Sequence, residues 1–230
     1  MYIPENERDG GEARRSLICL ILDRSGSMGG REDDVVGGVN TFLAEQKQLP
    51  DAALISFVRF DSEAIERFRE TAELAACAPL AREEFQPRGR TPLLDAVGIT
   101  IAQLDEECRR LHADRTIVVI ITDGRENASR EYTMGRIKTM IKERSASGHW
   151  SFIYLGANVD AFAEGGSLGV HDGNIAGYTN SARGTRAMYS SLSTSVRHMR
   201  STGSLDAGLG GDIDEDGKLQ GRDDRNPPAS

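Results

Sequence analysis

The sequence predicts an α/β protein with a doubly wound, mostly parallel sheet, one antiparallel edge strand and helices on both faces. Three observations carry this prediction. Two continuous apolar runs, 17–22 and 117–121, are bounded by turn and hydroxyl residues, as strands buried on both faces of a parallel sheet are. Segments with helical apolar spacing alternate with further strand-like runs, the pattern of right-handed βαβ crossovers. Finally, the short turn at Asp61-Ser62 between the runs 53–60 and 64–68 permits only an antiparallel pair, which puts one reversed strand at an edge.

Taken in order, residues 1–14 are a charged, loose leader. The first strand, Leu17 to Leu22, stops at Asp23, and Ser25 and Ser27 follow. Asp33 and Asp34 suit the positive end of a helix whose buried stripe is Val35, Val36, Val39, Phe42 and Leu43. Gly37 and Gly38 weaken that helix by roughly 1 kcal/mol each, so they are expected to allow close approach to the sheet. After the antiparallel pair, 70–90 is an extended connection punctuated by Pro79, Pro87 and Gly89. A long helix then begins at Thr91-Pro92, with Thr91 as N-cap and Leu93, Leu94, Val97, Ile101 and Leu104 facing inward. The strand 116–122 ends in Thr122-Asp123-Gly124. A helix over 132–145, a strand over 150–155, a short helix near 160–168, a weak strand near 174–176 and a last helix over 185–199 complete the pattern. From Ser201 onward Gly and Asp dominate and apolar periodicity vanishes. The α/β domain is therefore expected to span 15–200 and an acidic tail 201–230.

The 230 residues suffice for one such domain plus an appendage. A net charge of −8 argues against a nucleic-acid binder, and no apolar run is long enough to span a membrane. The polar N-terminus does not read as a secretory signal, and three widely spaced cysteines (19, 77 and 108) suit a reducing compartment, so a cytoplasmic setting is expected.

The chemistry concentrates where two strands end in aspartate. If those strands are neighbours at the switch point of strand order, Asp23 and Asp123 share one crevice at the carboxyl edge, where open α/β sheets bind ligands. Ser25, Ser27 and Thr91 reach the same crevice. Asp23, Ser25, Ser27, Thr91 and Asp123 form an all-oxygen set, which suits a hard divalent cation such as Mg²⁺ or Mn²⁺ and disfavours zinc or copper. Singly, either Asp reads equally as a helix cap and Ser-Gly-Ser as turn chemistry. Together they are specific.

These residues closely resemble a known site. Asp23-Arg24-Ser25-Gly26-Ser27, Thr91 and Thr122-Asp123-Gly124 match, in order, spacing and strand context, the three-part metal-ion-dependent adhesion site of von Willebrand factor type A (VWA) domains. The resemblance covers about residues 15–200 and implies a Rossmann-like fold. It also implies Ser25, Ser27 and Thr91 as hydroxyl ligands, and Asp23 and Asp123 acting mostly through waters. The stretches 88–96 and Leu155-Gly156-Ala157-Asn158 look like those of bacterial or phage-borne single-domain members.

Neutral hydroxyls with carboxylates one shell away would leave the ion electrophilic, ready for a carboxylate from a partner. Arg24, Arg90 and Arg125 each lie within two residues of a candidate ligand; they either steer an acidic group to the site or are simply solvated. Catalysis is not expected. Ser25 stands where a phosphotransfer enzyme commonly carries a second carboxylate. There is no Gly-x-Ser-x-Gly elbow, phosphate loop or dinucleotide fingerprint, and the four histidines fall in no motif.

In the tail, Asp212, Asp214, Asp216, Lys218 and Asp223 fit a twelve-residue calcium loop, with Gly217 at its sixth position. Asp rather than Glu at the last position and Pro227-Pro228 beyond it depart from that template. A disordered acidic tail, or an Asp offered to the metal site of the same or a neighbouring copy, are the alternatives. The expected function is a non-catalytic, Mg²⁺-dependent protein-interaction adaptor whose partner presents Asp or Glu. Resemblance implies an AAA-type ATPase system as one setting. A structural component of a phage particle or other assembly (with virion localisation) is the alternative, and a metal-dependent hydrolase a third.

Overall fold

The computed structural model describes residues 15–157, 160–214 and 218–221. The leader 1–14, Asn158 and the calcium-loop candidates Asp216 and Asp223 lie outside them. Eight strands form one sheet, in the order β3-β2-β1-β4-β5-β6-β7-β8. They are β1 (Ser16–Asp23), β2 (Ala53–Phe60), β3 (Ile65–Glu73), β4 (Arg115–Thr122), β5 (Trp150–Ala157), β6 (Ile175–Tyr178), β7 (Gly211–Ile213) and β8 (Leu219–Gly221). Five helices connect them: α1 (Glu32–Gln46), α2 (Leu93–Arg110), α3 (Met134–Ala146), α4 (Ala161–Leu168) and α5 (Ala182–Thr202). None of the helices among the described residues is long and apolar enough to cross a membrane.

The apolar runs behave as strands buried on both faces. In β1, Ile18, Leu20 and Leu22 pack with Val39, Phe42 and Leu43 of α1 and Met188, Leu192 and Val196 of α5. Leu17, Cys19 and Ile21 face the other layer, against Leu93, Val97, Ile101 and Leu104 of α2 and Ile137 and Ile141 of α3. Cys19 is fully buried among these side chains, and burial pushes its thiol up to about 11, so it packs as an apolar residue.

The order of β1 decides the site. It pairs in parallel with β2 on one side and with β4 on the other, so the chain's path along the sheet reverses direction there. The expected antiparallel edge is present: β3 pairs against β2 from Phe60↔Ile65 to Leu54↔Glu73. Charged residues fill that edge; Arg67 pairs with Glu107 and Arg59 with Glu66, which discourages pairing with another chain.

Three expectations differ from the structure. Gly38 makes room for a helix, not for the sheet: a Cβ there would lie 2.0 Å from the Tyr189 ring of α5, while one at Gly37 would meet nothing within 4 Å. Thr91 is not the N-cap of α2. Pro92 occupies the cap position without a side-chain bond. The free N–H groups of Leu94 and Asp95 donate instead to Glu126 Oε2 (2.9 Å) and Ser129 Oγ (3.0 Å) of the β4–α3 connection. Lastly, the sheet does not end at residue 200. Ala207, Leu209 and Ile213 join the core beside α5, β7 pairs in parallel with β6, and β8 returns antiparallel as a second reversed edge.

Candidate metal centre

The parallel register Leu22↔Ile121 ends β1 and β4 at the same height, so Asp23 and the pair Thr122-Asp123 emerge side by side. Asp23 is locked on both oxygens. Its Oδ1 accepts the Ser25 N–H at 2.7 Å, and its Oδ2 accepts the Thr122 hydroxyl at 2.5 Å. Burial raises its pKa to about 6; the Thr122 and Ser25 hydrogen bonds oppose that rise, and the neighbouring Asp123 charge adds to it. Ser25 Oγ lies 3.0 Å from Ser27 Oγ, and Ser27 donates to Asp123 Oδ1 at 2.6 Å. The other oxygen, Asp123 Oδ2, receives Arg31 Nη2 at 2.8 Å.

Thr91 arrives from a third loop, which is sewn to the other two through backbone. Gly26 N–H donates to Gly89 O (3.1 Å) and Arg88 N–H to Arg24 O (2.9 Å). Thr91 N–H donates to Asn127 Oδ1 (2.9 Å), and Asn127 N–H returns a bond to Thr91 O (3.1 Å). Gly89 holds its turn at φ +66°, where a Cβ would strike Ser62 Oγ. The cap that Glu126 and Ser129 supply to α2 leaves the Thr91 hydroxyl out of helix capping and able to face the crevice.

Gly124 marks where the loops converge. A Cβ built on it would sit 3.1 Å from Thr91 Oγ1, 3.6 Å from Ser27 Oγ and 3.8 Å from Asp23 Oδ2. Oxygens from two loops thus lie close to one point on a third, and the missing side chain leaves that point open. Two buried carboxylates and three hydroxyls, with no nitrogen or sulfur donor, are a donor set that fits a hard divalent cation. Among the described residues no group of three or more His, Cys, Asp and Glu gathers to hold a metal, here or elsewhere, so an ion in this crevice would depend on the hydroxyls as well as on the two carboxylates.

All five residues expected at the main site, Asp23, Ser25, Ser27, Thr91 and Asp123, therefore meet in one crevice. The three arginines do not act alike. Arg24 is 4% exposed and turns away, its guanidinium 2.5 Å from Asp61 and 3.0 Å from Glu66, so a steering role for it is withdrawn. Asp61, which sequence reasoning passed over, also binds Arg88 at 3.1 Å and accepts the Glu63 and Ala64 N–H groups. Burial opposes its ionisation, but these backbone donors and guanidinium groups outweigh it and hold its carboxyl below the usual range. Arg90 is exposed, and Arg125, 72% exposed, has Glu164 at 3.8 Å. Arg31 was missed because nothing in the run Gly29-Gly30-Arg31 distinguishes it from a solvated loop cation.

The calcium-loop candidates fall differently. Asp212 lies in β7, opposite Gln220 of β8. Asp214 turns the β7–β8 hairpin: its Oδ1 accepts the Lys218 N–H, its Oδ2 accepts Gln220 Nε2, and its own N–H donates to Lys218 O. The Asp214 carboxylate and the Lys218 carbonyl, oxygens which a calcium loop would turn toward an ion, accept these hairpin bonds.

No protein-family model matches the chain. An uncharacterized protein of Mycobacterium tuberculosis is 31% identical over 144 residues, 61% of this chain; the chain spans 22% of that protein's length. Several solved structures are similar. A von Willebrand factor type A protein from Catenulispora acidiphila shares 15% identity over 78% of this chain and 42% of its own, with a TM-score of 0.55. The SpRpn10 VWA domain shares 11% over 78% and 95%, with a TM-score of 0.53. The SpaC pilus adhesin of Lactobacillus rhamnosus GG shares 14% over 80% and 30%, with a TM-score of 0.61. At these identities the likeness concerns the fold, and it agrees with the strand order and reversed edge described above: this chain has the fold of von Willebrand factor type A domains.

Proposed function

We propose that the protein is a non-catalytic interaction module whose crevice holds a divalent cation, Mg²⁺ or Mn²⁺, and presents it to an acidic group of a protein partner. The observation that carries this reading is the convergence of Thr91 Oγ1, Ser27 Oγ and Asp23 Oδ2 around the open position at Gly124. Ser25, Ser27 and Thr91 would hold the ion, with Asp23 and Asp123 supplying negative charge behind them. A bound ion would contribute a Lewis-acidic centre with a position left for the partner's carboxylate. The chain's own part is preorganisation. Asp23 is held by Ser25 N–H and Thr122, and Thr91 by Asn127, so little ordering is left to pay for when the ion arrives.

Ser25 supports recognition over phosphotransfer, since its hydroxyl meets Ser27 at 3.0 Å where an enzyme with an aspartate nucleophile commonly carries a second carboxylate. The partner is a protein presenting Asp or Glu, with an AAA-type ATPase system as one setting. Assembly into a larger structure is the second reading. It is favoured by likeness to an adhesin and to the proximal thread matrix protein 1 of the mussel byssus, at a TM-score of 0.52 for the latter.

The test is a pull-down from the native host with the tagged chain in Mg²⁺ or in EDTA, beside Ser25→Ala. A partner recovered in Mg²⁺ and lost in EDTA and with the variant supports the proposal. A partner retained under all three conditions contradicts it.

A further inference from the structure

The crevice contains a cation of its own, and its placement suggests how a metal and a partner would depend on one another. Arg31 stands just before α1. Its guanidinium donates to Asp123 Oδ2 at 2.8 Å, with the arginine side chain 11% exposed and the aspartate 1%. Its Nε and Nη1 are buried without a hydrogen-bond partner. The other nearby arginines are placed otherwise: Arg24 and Arg88 bind Asp61, and Arg125 extends to solvent.

Charge balance then has a direct consequence. Asp23 and Asp123 bring two negative charges and Arg31 one positive charge. A divalent ion added to that set overshoots neutrality by one, and one carboxylate from outside restores it. Without Arg31, the same ion would be neutralised by the two aspartates and would need no outside anion. In a crevice this buried, such an imbalance is poorly screened.

We propose that Arg31 couples ion binding to partner binding: by pairing with Asp123 it weakens retention of the divalent ion until an anionic carboxylate completes the site. This rests on the metal-dependent reading above. The two ligands would then bind cooperatively, each raising the affinity for the other.

The experiment titrates the full chain with Mn²⁺, followed by the electron paramagnetic resonance of the free ion, with and without sodium acetate as the carboxylate probe. Acetate–Mn²⁺ association is subtracted from a protein-free control. Wild-type affinity for Mn²⁺ is expected to rise with acetate. Arg31→Met is expected to bind Mn²⁺ alone about tenfold or more tightly than wild type and to lose the acetate dependence. Arg31→Lys, which keeps the charge, should stay close to wild type. Acetate-independent Mn²⁺ binding by the wild type overturns the proposal without recourse to any variant. Equal Mn²⁺ affinities in wild type and folded Arg31→Met overturn it as well, while leaving the metal-dependent reading intact. No Mn²⁺ binding by any of the chains overturns that reading, and this proposal with it.

Discussion

Two stretches of the chain place oxygen-bearing side chains at alternate positions, Asp23-Arg24-Ser25-Gly26-Ser27 and Asp212-Ile213-Asp214, and the fold treats them in opposite ways. The first follows a strand between two others at the point where the path along the sheet reverses. Its oxygens are joined by Thr91 and Asp123, from 64 residues further on and beyond, and three loops are tied together through Gly26–Gly89 and Thr91–Asn127. The second sits in a short edge hairpin, where Asp214 closes its own turn. What distinguishes the first stretch is that distant loops hold its oxygens facing a common point, whereas local turn chemistry occupies those of the second.

The comparison can be broken most severely through the scaffold of the first stretch. Asp61→Ala would leave buried Arg24 without its main partner and remove the acceptor for Glu63 and Ala64 N–H. Breaking a buried pair in this way is expected to destabilise the chain by about 3 kcal/mol or more in denaturant melts. The pH dependence follows from the lowered pKa of Asp61. A carboxyl held below its unfolded value stabilises the fold above about pH 4 and loses that contribution as the pH falls further. The acid limb of the stability profile should accordingly be shallower in Asp61→Ala.

A finer perturbation separates site from fold. Gly124→Ala would put a methyl group 3.1 Å from Thr91 Oγ1, into the point where the oxygens converge. Ion binding measured by calorimetry should be lost, while the melt shifts by only about 1–2 kcal/mol. The smallest effect is expected at the edge. Asp214→Ala removes two hairpin hydrogen bonds on an exposed turn. It should cost about 1 kcal/mol or less and leave Mg²⁺ binding at the main crevice unchanged. A fall in Mg²⁺ affinity with this variant would mean that the two regions are not independent.

Much of this was readable from the residues, for identifiable physical reasons. Strands buried on both faces need unbroken apolar runs, so β1 and β4 and their terminal aspartates announced themselves, and the short turn at Asp61-Ser62 required the reversed edge. What stayed hidden depended on tertiary neighbours. Glu126 and Ser129 reach across to cap α2, and without them Thr91 looked like the cap itself. Tyr189 of α5 fills the space over Gly38, a partner 151 positions away. Arg24 lies beside a candidate ligand in sequence yet turns toward Asp61, just past the end of β2, while Arg31, several residues on, reaches Asp123. β7 and β8 are three residues each, too short in a Gly- and Asp-rich context to show periodicity.

As proposed, this crevice would bind a divalent ion through its hydroxyls. Calorimetric titration of the full chain with Mg²⁺ above neutral pH, where Asp23 is ionised, tests it most directly. One saturable site in the wild type, lost in Ser25→Ala while its melt remains cooperative, is the predicted result. No saturable binding by the wild type, or undiminished binding by Ser25→Ala, would contradict it.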